Sequence, residues 1–206
     1  MTTEKEIVYS ILNSLRGGHS NNNESISIRL IRSFIANERA NLLLQFTDAG
    51  RSINEENFQE LSTQIFTKVS DNIYKKRLPK IMFFNKRSGV RLRTENNTVL
   101  MCTKSQDRNY QKDNYFKSIP RAWSVGTDMY VRVGDGILEN INLDINAVLY
   151  YPGDSTIYNW ELDSFPLQSE LLTVLKEMIV KKEGERIINT SLNDQTNNFK
   201  NDNEAT

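Results

Sequence analysis

The apolar positions near the N-terminus of the chain predict a helix over residues 3–16. Thr3 and Glu6 have the spacing of a capping box, in which a hydroxyl and a carboxylate each satisfy an unpaired backbone N–H. Gly17 and Gly18 end the helix, because glycine readily adopts the left-handed conformation found at helix ends. The apolar side chains recur at helical spacing and form one face: Ile7, Val8, Ile11, Leu12 and Leu15.

A second and longer helix is predicted from residue 28 to residue 46, with Ser27 as its N-cap. Gly50 follows its last turn. Two amphipathic helices joined by a short loop are expected to pack as an antiparallel pair. The apolar stripe of this helix consists of Ile31, Ile35, Leu42 and Phe46, widened by Phe34 and Leu43.

After residue 57 the hydrophobic pattern changes to a period of two and predicts a strand over residues 61–69. A helix is the alternative, because Leu61, Ile65 and Val69 also fit a helical spacing. Residues 105–118 show no clear period and are expected to form either a short helix or a long excursion. Turn residues, among them the hairpin-like Gly134-Asp135-Gly136, separate further predicted strands: Ile81–Phe84, Val90–Arg93, Val99–Thr103, Met129–Val133 and Ile145–Tyr151.

The C-terminal part of the chain predicts a third helix, which begins at Pro166 and ends near Glu183 before Gly184. Proline is tolerated in a first helical turn, where its missing N–H would be unpaired in any case. Beyond this helix, Asn, Asp and Thr dominate a tail that is too poor in apolar residues to fold alone. The apolar face of the helix consists of Leu167, Leu171, Val174, Leu175, Met178 and Ile179.

These elements together predict an α+β fold, in which a β-rich part of short strands is inserted into a helical part. Residues 1–57 form an N-terminal helical hairpin, and residues 58–160 form the β-rich part. Residues 161–184 supply a C-terminal helix that packs on the helical part, and residues 185–206 form a polar, extended tail. No apolar run approaches the roughly 20 residues of a membrane span, and acidic residues at the N-terminus predict no secretory signal.

Charge is distributed unevenly along a chain whose formal net charge is zero. Residues 1–67 hold 6 basic and 8 acidic side chains, a balance of −2, whereas residues 68–132 hold 15 basic and 5 acidic ones, a balance of +10. Residues 133–206 hold 5 basic and 13 acidic side chains, a balance of −8. This asymmetry fits a nucleic-acid face, neutralisation within one chain, or contact between the basic segment of one copy and the acidic segment of the next.

The residue types of catalytic and metal centres are scarce in this sequence. His19 is the single histidine and lies in an Asn- and Gly-rich loop. Cys102 is the single cysteine, which excludes an internal disulfide, and its predicted strand favours a structural thiol over a reactive one. No dinucleotide or phosphate-loop motif is present. We therefore expect no enzyme activity, no catalytic or metal residues and no cofactor.

Basic residues of one segment are the candidate interface or DNA-facing side chains. They are interleaved with Tyr74, Phe83 and Phe84, and basic groups next to aromatic rings can contact phosphates and stacked bases. A solvated or partner-facing basic surface is the alternative interpretation, because a dedicated nucleic-acid binder usually carries a strongly basic domain. The candidates are Lys75, Lys76, Arg77, Lys80, Lys86, Arg87, Arg91 and Arg93.

Several short motifs, in their order along the chain, resemble one known group of proteins. They include Glu6–Leu12 with Leu15–Gly18, Ala36–Ala40, Leu78–Ile81, Tyr150–Pro152 and Phe165–Leu167. Over roughly residues 5–183 this order is similar to the head–tail adaptor, or portal-associated ring, proteins of podovirus-type crAss-like tailed phages. The Asn-rich tail after Gly184 lies outside the resemblance.

The resemblance implies a structural virion protein made in the cytoplasm of the host bacterium. Such adaptors form a dodecameric ring that binds the portal at its vertex and joins it to the tail, or to other ring proteins, around a DNA channel. Their fold is a helical part with an inserted β-rich part, and the resemblance implies no catalytic residues. The alternative function is a phage DNA-binding or packaging accessory protein that uses the basic segment 75–93.

Overall fold

The computed structural model describes residues 2–15, 27–84, 87–94, 98–113, 115, 118–134 and 138–182. The described chain forms two compact units: a central unit, Phe46–Tyr158, and a terminal unit made of the residues on either side of it in the sequence. Several predictions fall outside the described residues: His19, the Gly17-Gly18 helix stop, Asp135 and Gly136 of the hairpin turn, Lys86, Gly184 and the tail 185–206.

The first predicted helix and its capping box are confirmed. Helix α1 is Glu4–Leu15. The backbone N–H of Thr3 donates to Glu6 Oε2 at 3.0 Å, and the backbone N–H of Glu6 donates to Thr3 Oγ1 at 3.2 Å. Each group thus satisfies a donor that the first helical turn leaves without a backbone partner. The predicted apolar face is buried at Ile7, Val8, Ile11 and Leu12.

The second helix is also confirmed, with a buried arginine that its apolar pattern does not predict. Helix α2 is Ile28–Asp48, and Ser27 Oγ accepts from the backbone N–H of Arg29 at 3.2 Å, as expected of an N-cap. Arg39 is fully buried on this helix. The antiparallel direction of α1 and α2 stays a prediction. The buried part of the predicted stripe is Ile31, Ile35, Leu42 and Leu43.

The predicted start of the last helix at Pro166 is wrong, since helix α4 spans 169–182. The backbone N–H of Phe165 donates to Thr2 O at 2.9 Å, and that of Leu167 donates to Phe165 O at 2.7 Å. The Pro166 carbonyl accepts from Arg39 Nε at 2.8 Å. These bonds keep the segment non-helical until the apolar face of α4 begins. That face is buried at Leu171, Leu175 and Ile179, whereas Val174 is exposed.

The central unit is built around a closed barrel of seven strands, in the order β1-β2-β8-β7-β6-β5-β9 with β9 paired back to β1. Only the β6–β7 pair is parallel; the other barrel pairs are antiparallel. Strands β3 and β4 form a separate two-stranded sheet. The strands are β1 Gln59–Ser70, β2 Ile73–Arg77, β3 Phe83–Phe84, β4 Arg87–Ser88, β5 Val90–Arg93, β6 Thr98–Met101, β7 Arg121–Val125, β8 Asp128–Arg132 and β9 Asn140–Ala147.

The parallel pair explains the short helix in the stretch without clear periodicity. Parallel neighbours need a crossover of a dozen or more residues, which usually contains a helix. Helix α3, Lys104–Tyr110, lies in the connection from β6 to β7 and confirms the short-helix alternative. Glu55–Asn57 and Pro152–Asp154 form 3₁₀ turns.

The α+β class and most predicted strands are confirmed, with corrections at several ends. Residues 61–69 are strand, not helix, and Val90–Arg93 is matched residue for residue. The predicted strand Val99–Thr103 is wrong at its end, because Thr103 caps α3 and Cys102 lies between the two elements. The strand predicted at Ile145–Tyr151 begins earlier, at Asn140, and ends at Ala147. Strands β2, β4 and β7 were not predicted.

An irregularity in β1 decides which side chains enter the barrel. The register with β9 shifts between Glu60 and Thr63, and Ser62 between them has a φ of +59°. An inserted residue of this kind moves the following side chains to the opposite face. Leu61 is therefore buried, while beyond the shift Phe66 is buried and Ile65 is 56% exposed.

Residues of all seven barrel strands fill the interior. Because side chains alternate along each strand, one face of each strand supplies this core. The buried members include Tyr74, Leu92, Val99, Ala122, Val131 and Leu143.

Substituting the two neighbours in β1 tests this assignment. Phe66→Ala is expected to lower the free energy of unfolding by about 3–5 kcal/mol, because it leaves a cavity in the barrel. Ile65→Ala is expected to change it by less than about 0.5 kcal/mol, because the side chain faces solvent. Urea unfolding in a Trp160→Phe background, followed by Trp123 fluorescence, measures the barrel. A larger effect at Ile65 would contradict the shift of face at Ser62.

Candidate interaction surface

Five of the eight predicted basic residues lie in two separate groups on the barrel. Lys75, Lys76 and Arg77 are on β2, whereas Arg91 and Arg93 are on β5. Strands β1 and β9 separate the two groups in one direction around the barrel, and β8, β7 and β6 separate them in the other. The basic residues of β2 and those of β5 are therefore not on neighbouring strands of the barrel. Arg87 belongs to β4.

On β2, Lys75 is engaged on the outer face of the barrel. Its Nζ lies 2.7 Å from Asp128 Oδ2 and 5.5 Å from the ring centroid of Tyr130. The hydrogen bond with Asp128 raises the pKa of Lys75. Tyr130 in turn stacks on Trp123, with ring centroids 5.8 Å apart. Lys75 thus belongs to a local cluster and is less available to a partner than its sequence suggests.

The other basic residues near β2 are neighbours, in the sheet or along the chain, of residues that line a small groove at one end of the barrel. Lys76 is paired in register with Met129, and Arg77 with Asp128, and both of these partners line the groove. Lys80 lies between Pro79 and Ile81 in the sequence, and both of these residues line the groove. The Lys80 Nζ atom is 4.0 Å from the ring centroid of Tyr150. The groove is small, with an accessible volume of about 10 Å³, and its apolar lining includes Leu78, Pro79, Ile81, Phe83 and Met129.

On β5, Arg91 is engaged within its own unit, and Arg93 is exposed. The guanidinium of Arg91 lies 4.1 Å from the ring centroid of Phe58 and forms an ion pair with Glu55. The hydrogen bond from Arg91 lowers the pKa of Glu55. Arg93 is paired in register with Asp144 of β9. An exposed ion pair of this kind contributes little stability, but it reduces the net positive charge of the face.

A buried charge cluster accounts for two further basic residues. Asp107 of α3 lies 2.9 Å from Arg121 Nε through Oδ1 and 3.2 Å from Arg132 Nε through Oδ2. Asp107 and Arg121 are both buried. Sequence reasoning missed this cluster. The sequence signal for it was a second capping box, formed by Thr103 and Gln106. Thr103 Oγ1 accepts from the Gln106 N–H at 3.2 Å, and this cap fixes the start of α3, the helix that carries Asp107.

The described residues offer little for catalysis or metal binding. Among them, no three His, Cys, Asp or Glu side chains cluster closely enough to hold a metal ion. Burial, and then the charge of Asp107, raises the pKa of the half-buried Cys102 thiol, which reduces its thiolate fraction at neutral pH. In the same part of the chain, no helix combines the length and hydropathy of a membrane span.

Comparison with known proteins gives one family match. The family model described as phage tail ring protein 2, from the crAss group, matches residues 6–203. The match includes residues of both units and extends past Gly184 into the tail, which the sequence resemblance left out. A search of curated proteins found no match.

Removing the charge of Asp107 tests the role of the buried cluster. Asp107→Asn is expected to lower the free energy of unfolding by about 3–5 kcal/mol, because Arg121 loses its buried counter-charge. The control, Asp144→Asn, makes the same change on the exposed face of β9 and is expected to cost less than about 1 kcal/mol. Urea unfolding measures both. Equal effects of the two substitutions would contradict a stabilising role of the cluster.

Proposed function

Because the chain belongs to the phage tail ring protein 2 family, we propose that it is a head–tail connector subunit of a crAss-like phage virion. Its copies form a dodecameric ring at the portal vertex. The ring joins the portal to the tail, or to further ring proteins, around the channel through which the genome passes. The protein acts by packing against other subunits, without a cofactor. The family match over residues 6–203 is the observation that supports this proposal.

The architecture of the central unit suits a ring subunit. A closed barrel leaves no unpaired strand at the edge of its sheet, so edge-to-edge strand pairing does not compete with specific assembly. Contacts between copies must then be made by side chains and loops. A cyclic ring also needs two different, complementary surfaces on each copy, because its contacts are head-to-tail.

The separation of charge along the chain supplies a possible source of that complementarity. Residues 68–132 have a balance of +10 and residues 133–206 a balance of −8. Charge complementarity orients partners and suppresses wrong pairings, while buried apolar anchors contribute most of the affinity. In this proposal, basic side chains of one copy face acidic side chains of the next.

The alternative, a DNA-binding or packaging accessory protein, has less support. This function requires the basic residues of segment 75–93 to act as one surface. Five of them lie on β2 and β5, which are not neighbouring strands of the barrel. Asp128 and Glu55 also pair with Lys75 and Arg91. The basic residues that remain exposed can still contact DNA in the channel without sequence specificity.

Quantitative mass spectrometry of purified virions tests the connector function. We expect one copy of this chain per portal subunit, since a connector ring shares the symmetry of the portal that it binds. A major tail protein from the same sample serves as a control for a different copy number. Absence of the chain from virions would contradict the proposal. Salt-sensitive DNA binding by the isolated protein would then favour the accessory function.

A further inference from the structure

The barrel of the central unit leaves hydrophobic side chains exposed at the end where β1 stops and β9 begins. The backbone N–H of Lys68 donates to Glu139 O at 2.9 Å, one residue beyond the last register pair of β1 and β9. Val69 and Leu138 therefore come next to each other on the two antiparallel segments. Val69 is 52% exposed and Leu138 is 64% exposed. This end, together with the β1–β2 turn, is named here the Leu138 end.

Hydrogen bonds hold the Leu138 end in a fixed shape. The hydroxyl of the buried Tyr74 donates to Leu138 O at 2.6 Å. In the β1–β2 turn, Asn72 Nδ2 donates to Gly134 O at 3.0 Å, and the backbone N–H of Val133 donates to Asn72 O at 3.1 Å. A surface that is already ordered loses little conformational entropy on binding. The Leu138 end is therefore pre-organised for contact with a partner.

The Leu138 end also carries carboxylates that nothing in its own fold neutralises. Asp71 in the β1–β2 turn and Glu139 are both exposed. Within the part of the chain that the structure describes, neither carboxylate has an ion pair or a hydrogen bond. Lys68, a basic residue at the same end, is half-buried and already interacts with other groups of the fold. A partner thus meets two acidic side chains beside an apolar pair.

The opposite end of the same barrel exposes a second set of hydrophobic side chains. Strand β2 runs from the Leu138 end to this one, where Arg77, Asp128 and Val125 lie in one row across β2, β8 and β7. Val125 is 53% exposed. Phe83, which lines the small groove together with the turn that follows β7, is 43% exposed. This end is named here the Val125 end.

The uncompensated charges of the Val125 end are basic. Asp128 pairs with Lys75, so its charge is balanced within the fold. Lys76 and Arg77 have no ion pair or side-chain hydrogen bond with any described residue, and Arg77 is exposed. Opposite charges orient two surfaces and suppress wrong pairings, while apolar side chains contribute most of the affinity. The two ends of the barrel therefore complement each other in charge, and both offer apolar side chains.

We propose that the Val125 end of one copy packs against the Leu138 end of the next copy in the ring. The exposed hydrophobic side chains of the two ends pack together, and Arg77 faces Asp71 and Glu139. In a ring of twelve, successive copies are rotated by about 30°, so the two contact surfaces lie on nearly opposite sides of each subunit. The two ends of one barrel meet this requirement. This inference rests on the proposed ring function and specifies the surfaces by which its copies associate.

Cysteine cross-linking in assembled virions tests the contact. In a Cys102→Ser background, Val125→Cys is combined with Val69→Cys or with Leu138→Cys in the full-length protein, and the virions are oxidised mildly. We expect at least one combination to give a ladder of disulfide-linked multimers, because a disulfide forms only when the two Cβ atoms approach to about 4 Å. The matched control combines Val125→Cys with Ile65→Cys, at an exposed position that belongs to neither end, and is expected to give no ladder.

A charge reversal tests the electrostatic part of the contact. Arg77→Glu is expected to lower incorporation into virions at least about tenfold, because it places like charges opposite each other. A second reversal in the same chain, Asp71→Arg or Glu139→Arg, is expected to restore incorporation to within about threefold of the parent protein. Arg93→Glu makes the same change outside both ends and is expected to incorporate normally.

Urea midpoints of these variants separate assembly from folding. Unchanged midpoints show that the variants are folded, and if the midpoint of Arg77→Glu falls, the cross-link, which keeps Arg77, decides. Normal incorporation of folded Arg77→Glu would overturn the proposal. A loss of incorporation that neither second reversal restores would also overturn it.

The outcomes distinguish this inference from the connector function. If the parent protein is present at the copy number of the portal and neither cysteine combination forms a ladder, the docking is wrong and the connector function stands. A link from the cysteine introduced at position 125 to a different virion protein, in place of a ladder, also overturns the docking between copies. If the parent protein is absent from virions, the connector function itself fails, and the docking fails with it.

Discussion

The closure of the barrel depends on β1, which pairs with β9 over most of its length and with β2 at its end. The irregularity at Ser62 adds one residue to β1 opposite β9, which bends β1 and exchanges its faces. Leu61 and Phe66 both reach the core as a result, and Ile65 and Val69 are left on the outer face.

The elements with local signals could be predicted from the sequence. Capping residues and a 3.6-residue period identify α1 and α2, and alternation identifies β5 and β8. Strand β2 was not predicted because its sequence lacks a clear alternation of polar and apolar residues. Lys75 faces outward, and Lys76, at the barrel end, is paired with Met129, so polar residues occupy both faces of the strand. The predicted helix start at Pro166 was wrong because Arg39, which is distant in sequence, binds the Pro166 carbonyl. Closure of the barrel requires β1 to pair with β9, and the local pattern of hydrophobic residues does not indicate which strands pair.

The sequence predicted only part of the candidate site, because charge pairs in the folded protein determine which basic side chains a partner can reach. Lys76, Arg77 and Lys80 were identified from sequence, but only the fold brings their neighbours Leu78, Ile81 and Met129 together in one small groove. The number of basic side chains in residues 68–132 overstates how many a partner meets. Asp107 pairs with the buried Arg121, and Glu55 and Asp128 pair with Arg91 and Lys75 at the surface. The other basic side chains lie near exposed hydrophobic side chains.

The pairing of β1 with β9 also has a consequence for synthesis of the chain. On the ribosome, β1 emerges long before β9, and the barrel cannot close until Ala147 has left the exit tunnel. The terminal unit is completed later still, because α1 and α2 bind residues from 160 to 182. A nascent chain therefore lacks the closed barrel until Ala147 has emerged, and the finished terminal unit until Lys182 has emerged. Any assembly step that needs both units must therefore follow the translation of Lys182.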